Sequence, residues 1–266
     1  MTVLEAALRR DRLVLLAALA LLFVLSALYT VSGVGMRMSA IEMTSMASMR
    51  DMPGKAVPGA WSAFYAALVF LMWWVMMVAM MLPSVAPNVL LFAALVRRTR
   101  DAGRAGAMAG CFLAGYLLAW AGFALVAAAA QWALEAAGIV SATMMTLVDT
   151  LPGALVLVAA GIFQFTPLKG ACLSHCRAPT QFLARHYRPG PAGAVRMGLH
   201  HGTYCVGCCW FLMALLFVGG VMNLYWIVGL TAFVALEKLT PAGAALSRIA
   251  GAGLVAWGVW VILSGL

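Results

Sequence analysis

The sequence predicts an all-α fold: a polytopic helical membrane protein with about seven transmembrane helices, organised as one domain over residues 1–266. Hydrophobic residues make up 65% of the chain and charged residues only 9%. The apolar residues fall in runs of about 20, the length that crosses a hydrocarbon core of roughly 30 Å. The polar stretches between these runs are each too short to bury a core of their own, so no separate soluble domain is expected.

The first span covers residues 13–34. Arg9, Arg10 and Arg12 precede it as in a signal peptide, but the run is long enough to span and no small-residue cleavage pattern is clear near residues 32–35, so it is read as a retained signal anchor. Residues 35–60 form an outer, methionine-rich loop with Met36, Met38, Met43, Met46, Met49 and Met52. The second span, 61–82, ends at Pro83 and carries Met72, Met76, Met77, Met80 and Met81. Further spans are expected at 107–132, 153–168, 197–218, 224–245 and 249–266, with an inner Cys/His loop or short helix at 169–196.

Charge sets the expected orientation. With the N-terminus inside, only Arg37, Arg50 and Lys55 of the 17 Lys and Arg fall outside, and the rest, among them Arg97, Arg98, Arg177, Arg185 and Arg248, fall inside or at inner span ends. The positive-inside rule then favours a cytoplasmic-membrane protein with its N-terminus inside and C-terminus outside. The net charge of +9 is thereby explained by topology, with the lipid bilayer and not nucleic acid as partner.

Candidate chemistry concentrates in two places. Residues 199–213 read LHHGTYCVGCCWFLM and put His200, His201, Cys205, Cys208 and Cys209 at the start of an apolar span, with Met213 beyond. On a helix His201, Cys205 and Cys208 fall at i, i+4 and i+7, so imidazole and thiols share one face. The second cluster is Cys172, His175 and Cys176. All the cysteines map to the inner side or inner half of the membrane, where thiols stay reduced, and closely spaced Cys beside His supply soft-metal ligands. Cys111 alone reads as helix packing. Met76, Met77, Met80, Met81 and Met213 read either as packing or as thioether ligands, which with thiolates select Cu(I); Zn(II) is the next candidate. The outer methionines read either as a Cu(I) path or as the apolar side of a surface helix.

Glu237 and Lys238 are the charges inside the sixth span. There a carboxylate is expensive unless paired. Either Glu237 ligates, moves a proton or orients His200 or His201, or it pairs with an arginine while Lys238 reaches the inner surface. The chain has no Walker sequence, dinucleotide-binding glycine fingerprint or nucleophile-elbow serine.

Five motifs together resemble the bacterial predicted metal-binding integral membrane proteins, a family defined by a domain of unknown function: MMVAMMLPS (76–84), PLKGACLSHCRAP (167–179), GxxCVGCCWxLM (202–213), GVMN (220–223) and EKLTP (237–241). The resemblance implies a metal and marks Cys172, Cys176, Cys205, Cys208, Cys209 and Glu237 as signature positions. It implies no particular reaction. The expectation is thus a membrane protein that binds Cu(I) or Zn(II) for transport, sensing or delivery to a membrane metalloenzyme or metallochaperone. A thiol–disulfide redox protein, a structural assembly subunit and a haem-bearing bundle are the alternatives.

Overall fold

The computed structural model describes residues 3–51, 57–178, 180, 183 and 187–265. Met52, Lys55, Pro179 and Arg185 lie outside these residues. The described chain is all-helical: α1 (Val3–Ser32), α2 (Ala40–Ser45), α3 (Ala63–Val96), α4 (Ala105–Ala136), α5 (Thr150–Phe163), α6 (Pro167–Arg177), α7 (Gly190–Ala214), α8 (Leu216–Gly219), α9 (Leu224–Leu239) and α10 (Gly243–Ser264). Extended pairing among the described residues is confined to a bridge between Val140 and Leu147.

Five stretches are long and apolar enough to cross a membrane: Arg12–Ser32, Ala63–Val96, Ala102–Ala136, Gly190–Gly219 and Gly243–Ser264. The pair α5 and α6, bent by 64° between them, makes a sixth candidate as one broken span. The bend has a local cause. Thr166 accepts the Lys169 amide as an N-cap and Pro167 occupies the first turn, both signals for a new helix.

The fifth span, expected from 197, begins as a helix at Gly190, and two further boundaries move at prolines. Pro83 does not end the second span, because α3 runs through Pro83 and Pro87 to Val96. Each proline removes a backbone bond at a cost of about 3 kcal/mol, but this part of α3 is buried among its neighbours, and packing outweighs the loss. The sixth span stops at Leu239, not 245, since Thr240 ahead of Pro241 is forced into extended backbone. That leaves α9 with 16 residues, about 24 Å at 1.5 Å per residue.

The methionine-rich segment after α1 is partly core. α2 is started by a capping box in which Ser39 and Glu42 bond each other reciprocally. The Ser39 amide and hydroxyl hold the Glu42 carboxyl below the usual carboxylate range. Met43 is buried, and Met36 and Met38 pack against the core, whereas Met49 is exposed.

The closest helix approach that positions the centre is α4 against α7. A Cβ added at Gly198 would overlap the Phe112 carbonyl, one at Gly115 the Val195 carbonyl, and one at Gly202 would come within 2.6 Å of Ala119 Cβ. Small residues thus let two backbones meet, as is common where helices associate in membranes. Gly198→Leu is expected to lower stability by about 3 kcal/mol or more through overpacking. Gly110→Ala, where nothing lies within 4 Å of the added methyl, should be neutral or gain up to about 1 kcal/mol. Thermal unfolding of the two variants in detergent micelles checks both.

Candidate metal centre

On α7 the helical spacing does what the sequence implies. His201, Cys205, Cys208, Cys209, Leu212 and Met213 are buried along one face, while His200 is half-buried at its edge. The close crossing at Gly198 and Gly202 holds this face on α4, so Tyr116 Oη lies 2.9 Å from Cys205 Sγ. Lys238 of α9 donates to the same sulfur, Nζ to Sγ 2.9 Å. Cys208 and Cys209 both turn their thiols back to the Cys205 carbonyl, at 3.1 and 2.9 Å.

The second cluster joins the first. Cys172 and Cys176, one turn apart on α6, are both buried. Cys172 Sγ lies 2.9 Å from where a Cβ on Gly207 would sit, so the glycine between the α7 cysteines admits α6. Cys176 Sγ then stands 4.0 Å from Cys208 Sγ. All six cysteines are free thiols, and Cys111 is a half-buried residue of α4.

The histidines separate. His201 Nε2 lies 2.8 Å from Asn88 Nδ2, and its ring sits between Phe112 and Tyr116 with centroids at 6.0 and 5.9 Å. His175 stacks flat on Tyr204 at 4.0 Å, with Nδ1 2.9 Å from the Ala171 carbonyl. The His200 ring lies 5.0 Å from that same tyrosine. His175 and His200 therefore flank Tyr204 at the rim, and His201 belongs to the buried interior.

Glu237 and Lys238 diverge, as neighbours on a helix must. Glu237 forms a salt bridge with Lys169 at 2.7 Å, the two side chains 0% and 1% exposed, and accepts from the Ser247 hydroxyl. Its partner is a lysine of α6, not the arginine considered from sequence, and the hydrogen bond on His201 comes from Asn88. Lys238 does not run to the surface but ends buried on Cys205. Arg177 at the far end of α6 donates to the Thr240 and Pro241 carbonyls at 3.0 and 2.6 Å. Both ends of α6 are thereby tied to the end of α9.

Met76, Met77, Met80, Met81 and Met213 are buried in the same hydrophobic core that holds the α7 cysteines. Met77, Met81, Ser84 and Asn88 follow i, i+4, i+7 and i+11 on α3, all buried, a stripe that climbs toward His201. Among the described residues no three Cys, His, Asp or Glu side chains already enclose an ion-sized site. What the centre offers is a thiol pair from two helices, with Cys205 and Cys209 within a turn of it.

Sequence reasoning missed Asn88, Tyr116, Lys169 and Gly207. Two signals were available. Gly198 and Gly202 form a GxxxG that brackets His200 and His201 and marks a helix-contact face. Lys169 stands inside the PLKGACLSHCRAP motif, where a cation near an intramembrane Glu invites pairing.

A family model described as a copper chaperone, PpoB2, matches residues 70–261. The match takes in both cysteine clusters, Glu237 and Lys238, and leaves out α1 and α2. No curated protein matches the chain, and no solved structure matches it.

Proposed function

Because the chain belongs to the PpoB2 copper chaperone family, we propose that it carries Cu(I) within the bacterial cytoplasmic membrane, holding the ion between Cys176 and Cys208 and delivering it to a membrane metalloenzyme or a metallochaperone. The observation that carries this reading is the 4.0 Å separation of those two sulfurs across α6 and α7. A metal–sulfur bond is about 2.3 Å, so one ion reaches both thiolates without moving either backbone. Soft thiolates favour Cu(I) over harder ions, and the apolar surroundings keep competing water away.

Cys205 and Cys209, on the same face of α7, are the further thiolates that close around the ion, and Cys172 lies one turn back on α6. His175 and His200, at the rim beside Tyr204, capture or release it. Met76, Met77, Met80, Met81 and Met213 supply a soft, adaptable lining. His201 is held by Asn88 and orients the buried end. In this reading the spans run N-terminus inside and C-terminus outside, and Zn(II) is the competing ion.

The test is metal content by mass spectrometry after anaerobic loading with Cu(I) and desalting, on the wild type beside a Cys205→Ser/Cys208→Ser/Cys209→Ser variant. About one copper per chain, lost in the variant, is the expected result. Equal copper in both folded proteins, or none in either, overturns the proposal.

A further inference from the structure

We propose that Lys238 makes the thiol centre discriminate between monovalent and divalent ions: its buried positive charge, set against Cys205, favours Cu(I) over Zn(II). This deepens the copper reading above and rests on it. Lys238 is a buried lysine whose Nζ donates to Cys205 Sγ at 2.9 Å. The adjacent carboxylate does not balance it, because Glu237 is engaged by Lys169 and Ser247 on another side of α9. The sulfur that faces Lys238 is one turn from Cys208 and Cys209 on the same helix face.

The physical argument is Coulombic. A fixed unit charge repels a divalent ion twice as strongly as a monovalent one at the same distance, and burial strengthens the effect by lowering the local dielectric. This difference does not depend on how many thiolates bind, provided both ions use the same set. A lysine so placed weakens soft thiolate binding of Zn(II) more than that of Cu(I). Thiol clusters bind zinc readily, so a copper carrier built from them gains selectivity from a cation beside the sulfurs.

Replacement of Lys238 by Met removes the charge while keeping an unbranched chain of similar length. Anaerobic titrations against a chromogenic Cu(I) chelator, and separately against a chromogenic Zn(II) chelator, give the ratio of the two affinities. Changes in folding or in the metal-free state are common to both ions and cancel in that ratio. Lys238→Met is expected to move the ratio at least tenfold toward Zn(II), Lys238→Gln likewise, and Lys238→Arg by less than about threefold. Tyr116→Phe, which removes a polar neighbour of Cys205 but no charge, should leave the ratio in place. Equal loss of both metals in the neutral variants, or a Lys238→Arg shift as large as that of Lys238→Met, overturns the selectivity role while leaving the copper site standing. A wild type that binds neither ion overturns both.

Discussion

Lys169→Met is expected to destabilise the protein by about 3–5 kcal/mol, because it leaves the Glu237 carboxylate buried without its counter-charge. The two side chains are 1% and 0% exposed and 2.7 Å apart, so water cannot take the place of the missing partner. Glu237→Gln should cost a comparable amount from the other side. The double variant, Lys169→Met with Glu237→Gln, removes both charges together and should return to within about 1–2 kcal/mol of the wild type, since a neutral replacement of a buried pair is often near-neutral. Thermal unfolding in detergent micelles reads all four proteins. A double variant as unstable as the sum of the singles would show that α6 is not held to α9 by this pair. The consequence reaches the centre, because α6 also carries Cys172 and Cys176. Copper binding should fall in each single variant and recover in the double one if Glu237 is a structural partner. It should stay low in the double variant if the carboxylate itself moves protons.

How much of this was legible in the sequence follows from what each signal measures. Apolar run length gave the long helices, because α1, α3, α4, α7 and α10 each fulfil the requirement of a lipid core on their own. It failed where neighbours decide. α3 continues through Pro83 and Pro87 because surrounding helices bury it, and α9 stops early because the Thr240–Pro241 step is a local backbone constraint that hydropathy does not see. Periodicity placed His201, Cys205, Cys208 and Cys209 on one buried face of α7, since they lie on one element. It could not join the two cysteine clusters, because the contact of Cys176 with Cys208 spans 32 residues and depends on Gly207 leaving room for α6. The partners of the charged residues were the least legible. A lysine and a glutamate adjacent in sequence point to different sides of α9, and whether Lys238 meets solvent or sulfur is a property of the packed bundle. The same holds for His200 and His201, which sequence adjacency groups and helix geometry parts.

Cys176→Ser and Cys208→Ser are each expected to lower Cu(I) affinity about 100-fold or more, which is roughly 2.8 kcal/mol at 1.4 kcal/mol per tenfold. The reason is that a hydroxyl does not replace a thiolate for a soft ion, and the two sulfurs face each other at 4.0 Å from separate helices. If one ion bridges them, removing the first sulfur already undoes the clamp. The double variant should then lose little beyond either single, the non-additivity expected of groups that act as a unit. Anaerobic competition against a chromogenic Cu(I) chelator measures the cycle, with Cys111→Ser as a variant that should leave affinity unchanged, because that half-buried thiol is on α4 and belongs to neither the α6 nor the α7 cysteine group. Strictly additive losses would mean that Cys176 and Cys208 serve separate sites, as capture and storage, and the single-ion clamp would be wrong. Unaltered copper binding together with a reversible Cys176–Cys208 disulfide would instead favour membrane thiol redox chemistry. The same pair thus decides between the two readings, because 4.0 Å is short enough for one metal to join the sulfurs but about twice the 2.05 Å of an S–S bond, so a disulfide requires the two sulfurs to close by about 2 Å and a bridging ion does not.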